Sequence, residues 1–172
     1  MGLMYTGLIA TVVLASATLQ SETLTFAKPQ TWTVRPAASS MRVAEFVVPK
    51  AAGDVEDGEL IVYYFGGGGG NVQANIDRWI GQFKPDPGAE GHETASLTVS
   101  GLKVTIVGVH GTYIAEVRPG STERHNKPNF SMRAAMIETP KGPYFIKLTG
   151  PSATIRQAGS SFDTFLQSLR FK

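Results

Sequence analysis

Five consecutive glycines, Gly66 to Gly70, are the residues of this chain best suited to binding chemistry, and Asn71 follows them. The pattern of apolar residues changes there from that of a strand to that of a helix, and bare amides at the start of a helix attract anions. The run lacks the Gly-Lys-Ser/Thr ending of a P-loop, and Asn71 stands where the dinucleotide fingerprint requires glycine. We therefore expect a site for a phosphate or another small anion rather than for a nucleotide. Its candidate residues are Gly68, Gly69, Gly70, Asn71 and Arg78.

The same glycines have a second interpretation that needs no ligand. Glycine has no Cβ, so it accepts backbone angles and close contacts that other residues do not. A glycine run between a strand and a helix can serve that purpose alone. The sequence leaves both interpretations open.

A second group of basic residues lies in the segment from residue 116 to residue 130. This segment contains two prolines and charges of both signs, and it follows neither the strand period nor the helix period. It therefore predicts a long irregular loop, a type of segment that often carries function. The loop could contact an acidic ligand or a protein partner, and the alternative is a mobile, solvated loop. The candidate residues are Arg118, Arg124, His125 and Lys127.

The familiar catalytic and metal-binding patterns are incomplete. His92–Glu93 begins like the helix of a zinc protease, but Ser96 stands where the second histidine is required, and the chain has no cysteine. No Gly-x-Ser-x-Gly elbow occurs, and the serines of the predicted last helix have no nearby base. These serines are Ser152, Ser160 and Ser161. We accordingly predict no catalytic residue, no metal site and no cofactor.

The elements that must position these residues are mainly strands. Alternating or continuous apolar runs predict strands, and two amphipathic stripes predict helices. This pattern indicates an α+β fold, in which an antiparallel β-sheet is flanked by helices. The predicted strands are Thr23–Phe26, Trp32–Val34, Met41–Val48, Glu59–Phe65, Ala95–Val99, Leu102–Val109, Met132–Ile137 and Tyr144–Leu148. The predicted helices are one with a stripe from Val72 to Phe83 and one that opens at Gly150-Pro151 and runs to Leu169.

Composition narrows the class of protein. The chain has 172 residues, of which 42% are hydrophobic and 17% charged, so it can bury a core and is not disordered. Its net charge of +2 is too small to indicate binding to nucleic acid. The absence of cysteine excludes disulfides and thiolate chemistry.

The N-terminal segment predicts export. Residues 2–17 are apolar and end in Ala15-Ser16-Ala17, the small-x-small pattern of a signal peptidase site, so we expect a signal peptide over residues 1–17. An apolar run of about 14 residues is shorter than the roughly 20 needed to cross a bilayer, so no stable membrane span is expected after cleavage. The first basic residue is Lys28, which leaves open a start further upstream or a buried N-terminal element. Residues 22–172 predict a single periplasmic or secreted domain.

The order of these segments is similar to that of a known family. The opening Leu24 to Trp32, the strand and helix around Asn71 to Phe83, and the closing Gly142 to Phe171 resemble the PsbP-like proteins, including the bacterial DcrB-like proteins. Uncharacterised exported bacterial proteins with the glycine run and Asn75-Ile-Asp-Arg-Trp79 are more similar still. The resemblance implies an α-β-α sandwich around an antiparallel sheet, and a binding or assembly role without catalytic residues.

These observations lead to two functional hypotheses. The first is an exported, non-catalytic binding or accessory module whose partner is a protein or a small anionic ligand. The alternative is an enzyme or an anion-binding protein that uses the helix N-terminus after the glycine run.

Overall fold

The computed structural model describes residues 22–87 and 91–172. The predicted signal peptide, residues 1–17, lies outside this range. In the part of the chain that is described, no helix is both long enough and apolar enough to cross a membrane.

An eight-stranded antiparallel sheet forms the centre of the domain. The strands are β1 (Leu24–Thr25), β2 (Thr33–Arg35), β3 (Arg42–Val48), β4 (Gly58–Tyr64), β5 (Phe83–Lys84), β6 (His92–Val99), β7 (Leu102–Tyr113), β8 (Lys127–Ile137), β9 (Tyr144–Pro151) and β10 (Arg170–Phe171). The order in the large sheet is β2-β3-β4-β9-β8-β7, and both β5 and β6 pair with the outer edge of β7. A separate two-stranded sheet joins β1 to β10. The helices are α1 (Val72–Ile80), α2 (Ser152–Gln157) and α3 (Gly159–Gln167).

Alternation along β9 shows how the sheet separates two cores. Tyr144, Ile146 and Leu148 point to one face, where they pack in the cluster that contains α2 and α3. Phe145 points to the other face and packs with α1. Successive side chains of a strand point to opposite faces, so a central strand covered on both sides can bury both sets.

The face that carries α2 and α3 is closed by aromatic packing. Phe165 of α3 is fully buried, and its ring centroid lies 5.0 Å from that of Phe26, 5.6 Å from that of Trp32 and 6.2 Å from that of Phe46. The segment before β2 and the strand β3 are thus held against the last helix by ring contacts.

The opposite face carries α1 alone. Ile76 and Trp79 are the buried apolar residues of this helix, and the Trp79 ring meets Phe145 edge-on at 6.0 Å. The helix ends at Ile80, with Gly81 as its C-cap, and Phe83 then joins the sheet opposite Tyr113. The predicted α+β fold, with helices on both faces of an antiparallel sheet, is confirmed.

Among the differences from the predicted element boundaries, three concern the two predicted helices and the predicted loop. The first helix stops at Ile80 because Phe83 pairs within the sheet rather than continuing the helical stripe. The predicted last helix is two helices, since the chain breaks at Ala158 and begins again at Gly159. The predicted loop 116–130 is wrong at its end, because residues 127–130 belong to β8 and pair with β7 and β9.

We predict that Phe165→Ala lowers the free energy of unfolding by about 3–5 kcal/mol, because it opens a cavity at the centre of the aromatic cluster. Urea unfolding followed by circular dichroism measures this change. The matched control is Phe171→Ala in β10, where the ring is only partly buried against the same core. Equal losses for the two variants would contradict this account of the core.

Candidate functional site

The structure explains the glycine run by backbone conformation and packing. Gly66, Gly67 and Gly70 have φ angles of +62°, +85° and +78°, a region that favours glycine. A Cβ on Gly69 would lie 2.4 Å from the Phe145 ring, closer than any real side chain allows. The run therefore passes over the sheet in a path that requires glycine at several positions.

Asn71 and Asn75 join the glycine run to α1. Asn71 caps the helix, since its Oδ1 accepts from the amides of Gln73 at 2.7 Å and Ala74 at 3.4 Å. Asn75 is buried, and its Nδ2 donates to the carbonyl of Gly69 at 2.7 Å and to that of Asn71 at 3.0 Å. Its Oδ1 accepts from Arg78 at 2.5 Å. Asn75 thus fixes both the glycine run and the Arg78 guanidinium.

All five residues of the first candidate site line one shallow hollow of about 350 Å³. Two of the amides that an incoming anion would use already donate to the Asn71 side chain. These two amides are therefore not free for an anion, and anion binding in this hollow stays a prediction.

The second candidate site is a loop closed by its own contacts. Glu116 and Arg124 form a bridge across it, and the amide of His125 donates to the carbonyl of Ala115 at 2.9 Å. Arg118 lies at the exposed tip. Lys127 belongs to β8, where its Nζ lies 2.7 Å from a Glu56 carboxylate oxygen.

A larger space, the basic cavity, lies on the α1 face of the sheet where α1 ends. It measures about 920 Å³ and lies between the end of α1, the 114–126 loop and a floor made by β4 and β9. It brings Arg78 of the first candidate site together with three residues of the second. Those three are Arg124, His125 and Lys127; Arg118 and the glycines stay outside.

Lys147 of β9 provides the charged group at the floor of the basic cavity. Its Nζ donates to Oε1 of Gln82 and lies 5.4 Å from the centre of the Tyr113 ring. Burial lowers the pKa of Lys147 to about 8; Glu59 acts in the opposite sense and Arg78 adds to the lowering. The Lys147 amine is therefore charged at pH 7 but loses its proton as the pH rises through about 8.

Aromatic residues form one wall of the cavity. The Tyr113 ring stacks on His125 at 5.3 Å and on Phe130 at 6.0 Å. Burial raises the pKa of Tyr113 to about 12, with smaller contributions from Tyr63 and Glu59. Tyr113 is therefore a neutral phenol at physiological pH and can donate a hydrogen bond.

Four of the cations around the cavity form ion pairs with carboxylates of the described residues, whereas two others do not. Arg35 pairs with Glu59 at 2.6 Å, Arg42 with Glu45 at 3.1 Å, Lys127 with Glu56 at 2.7 Å and Arg124 with Glu116 at 3.8 Å. Within residues 22–87 and 91–172, no carboxylate lies within ion-pair distance of Arg78 or Lys147. These two cations give the cavity its excess of positive charge.

Sequence reasoning missed Lys147, Gln82 and Tyr113 as site residues. Lys147 had a visible signal, since it is the one charged residue within Tyr144-Phe-Ile-Lys-Leu148. A lysine at that position suggests the solvent side of a half-exposed strand, whereas β9 is a central strand and Lys147 lies at the floor of a cavity.

Two other chemical expectations can be compared with the structure. Across the described ranges, no three histidine or acidic side chains converge in a way that could hold a metal ion. The statement that the late serines have no nearby base is wrong for Ser152, whose Oγ lies 3.1 Å from Nδ1 of His110. The two residues are 42 positions apart, so only the sheet brings them together.

We predict that Gly69→Ala lowers the free energy of unfolding by about 1–3 kcal/mol, because its Cβ would overlap the Phe145 ring. The matched control is the neighbouring Gly68→Ala, whose Cβ would approach only the carbonyl oxygen of Phe65, at 3.4 Å. Urea unfolding of both variants measures the difference. Two equally mild variants would show that packing does not require glycine at position 69.

Comparison with known proteins supports the fold. No family model and no curated protein matches the sequence. LpqN, involved in cell envelope biogenesis of Mycobacterium tuberculosis, matches with a TM-score of 0.53 and 10% identity, over 91% of this chain and 87% of LpqN.

Two further solved structures match with lower scores. Cyanobacterial PsbP (CyanoP) from Synechocystis matches with a TM-score of 0.49 and 10% identity, over 93% of this chain and 99% of CyanoP. A protein of unknown function from Pseudomonas aeruginosa, PA94, matches with a TM-score of 0.48 and 15% identity, over 81% and 96% of the two chains. At these identities the likeness is one of fold alone, and the match to LpqN supports the predicted fold.

Proposed function

We propose that the protein is an exported binding or accessory module and that its basic cavity takes a small anionic ligand. The observation that carries the proposal is the pair of cations, Lys147 and Arg78, that line one cavity without a carboxylate partner among the described residues. A buried charge is normally paired, because an unpaired charge in a medium of low dielectric is costly, and this applies to Lys147. Arg78 is exposed and adds a second positive charge at the edge of the cavity. A bound anion would supply the missing partner.

The other groups of the cavity suit the same ligand. The Tyr113 hydroxyl can donate to an anion, and the buried Thr149 Oγ1 has no partner in the described structure. The stacked rings of Tyr113, His125 and Phe130 offer an apolar surface beside the charges. A volume of about 920 Å³ lies at the upper end of the range for small-molecule sites, so it accommodates an organic anion larger than phosphate.

Export is the second part of the proposal. It rests on the apolar N-terminal segment and its Ala15-Ser16-Ala17 ending. The structurally similar LpqN is described as involved in cell envelope biogenesis, and an envelope role of that kind agrees with a periplasmic or secreted location.

Isothermal titration calorimetry with citrate and with inorganic phosphate tests the binding site. We expect Lys147→Met to weaken citrate binding by at least about tenfold, which corresponds to about 1.4 kcal/mol. The matched control is Arg118→Gln, which removes an exposed charge outside the cavity and should leave the affinity unchanged. Binding that is lost in Asn71→Ala but retained in Lys147→Met would favour the glycine run instead, and no heat with either anion would contradict an anion site.

Binding should also weaken as the pH rises through about 8. The lowered pKa of Lys147 means that its amine is charged below that pH and neutral above it. Lys147→Arg keeps its charge over this range, so its affinity should stay nearly constant between pH 7 and pH 9.5. Identical pH profiles for the two proteins would exclude Lys147 as the group that binds the anion.

Export predicts a defined mature N-terminus. When the gene is expressed in a bacterial host, the protein recovered from the periplasm or the medium should begin at Thr18. Intact-mass measurement and N-terminal sequencing identify the start. Ala17→Arg should slow this cleavage, whereas Gln20→Arg, beyond the site, should affect it less. Unprocessed protein retained inside the cell would contradict the proposal.

A further inference from the structure

A second cluster of reactive side chains lies on the other face of the sheet. His110 Nε2 is 3.2 Å from Oδ2 of Asp86, and His110 Nδ1 is 3.1 Å from Oγ of both Ser131 and Ser152. The two serine oxygens lie 2.8 Å apart. The cluster therefore links a carboxylate, an imidazole and two hydroxyls by hydrogen bonds.

The topology of the sheet builds this cluster from distant parts of the chain. His110 of β7 pairs directly with Ser131 of β8, and Ser131 pairs with Gly150 of β9. Because α2 starts where β9 ends, Ser152 lies beside Ser131. Asp86 arrives from the segment after β5, which pairs with the end of β7.

The hydrogen bonds suit one arrangement of protons. If Nε2 of His110 carries the proton and donates to Asp86, Nδ1 has a free lone pair directed at the serines. Ser152 can then donate to Nδ1 while Ser131 donates to Oγ of Ser152. This arrangement gives Ser152 a base to take its proton, and it gives that base a carboxylate to orient it.

The surroundings leave space for a substrate above Ser152. A hollow of about 530 Å³ contains His110, Ser131, Ser152 and Arg156. Arg156 lies four residues after Ser152, so it occupies the same side of α2 one turn further on. It forms no ion pair with a carboxylate of the described residues, whereas the neighbouring Arg133 is held by Asp163 at 2.8 Å.

The geometry points to Ser152 as the nucleophile of an acyl-transfer site for esters with a short acyl group. Ser152 Oγ attacks the ester carbonyl carbon, and its proton passes to Nδ1 of His110. The tetrahedral oxygen lies within reach of Arg156, and collapse releases the alcohol with the proton from His110. Water, deprotonated by His110, then attacks the acyl-serine, so that the carboxylic acid leaves and Ser152 regains its proton.

The short acyl group follows from the shape of the hollow. It is open and partly bounded by Gly108 and Gly159, and its polar walls include His92 and Glu93. Because the hollow is open to solvent rather than enclosed, the far end of a long acyl chain would remain in water. Acetyl esters should therefore react faster than octanoyl esters.

A fluorophosphonate probe tests the nucleophile directly, because it forms a stable adduct with activated serines. We expect peptide mass spectrometry of the labelled protein to find the adduct on Ser152. His110→Asn should lower the labelling rate by at least about 100-fold, and Asp86→Asn by at least about tenfold. Ser160→Ala is the matched control, since it removes an exposed serine of α3 that has no histidine partner, and it should label at the rate of the original protein.

Hydrolysis of p-nitrophenyl acetate provides the second measurement. Ser152→Ala should lose at least about 100-fold of the rate, whereas Ser160→Ala should lose none. Circular dichroism confirms that each variant is folded. If Ser152→Ala does not fold, the rates of His110→Asn and Asp86→Asn provide the test instead. Absence of an adduct, an adduct on Ser131, or labelling of Ser152 that is unchanged in His110→Asn would overturn the assignment.

Discussion

The length of α1 is the constraint on which the rest of this structure depends. Nine helical residues span roughly 13 Å, whereas the eleven residues of β8 span roughly 36 Å. One short helix therefore cannot cover its face of an eight-stranded sheet. The part that α1 leaves uncovered is the basic cavity. The other face has two helices and the N-terminal segment, and it closes into a continuous apolar core.

Contacts at both ends of α1 maintain this short length. At its start, the Asn71 side chain caps the helix, and Asn75 fastens it to the carbonyl of Gly69. At its end, Gly81 is followed by Gln82 and Phe83, which turn into the sheet, and the amide of Ile114 donates to the carbonyl of Gln82 at 2.8 Å. The Gln82 side chain then reaches Lys147 on the cavity floor. The end of the helix and the wall of the site are thus formed by the same few residues.

Much of the fold follows from local patterns in the sequence. The Ser100-Gly101 hairpin has φ angles of +51° and +80°, as a two-residue turn between twisted strands requires. Helix α1 begins directly after Asn71, where the pattern of apolar residues changes from that of a strand to that of a helix. The division of the last helix was not visible, because α2 and α3 bury residues of one continuous stripe on the same core. The charges and Pro128 of residues 127–130 likewise concealed a strand at the rim of the sheet.

The sites were harder to predict, for a physical reason. Local periodicity shows which face a residue occupies within its own element, but it does not show which elements become neighbours. Arg78 and His125 were each identified in a separate segment, and only the sheet order joins them at one cavity. The contact of Ser152 with His110 was likewise hidden, since it depends on β7, β8 and β9 lying side by side.

The two sites differ in how far the protein satisfies its own polar groups. On the α2 face, the polar groups form hydrogen bonds with one another, from Asp86 through His110 to Ser131 and Ser152. This cluster therefore needs no ligand to complete its hydrogen bonds. In the basic cavity, Lys147 and Arg78 remain without a countercharge from the described residues. Folding removes Lys147 from water and places it near enough to the exposed Arg78 for repulsion, and this cost is already incurred before any ligand binds. An anion therefore gains from a site organised in advance, because the protein need not rearrange its charges to receive it.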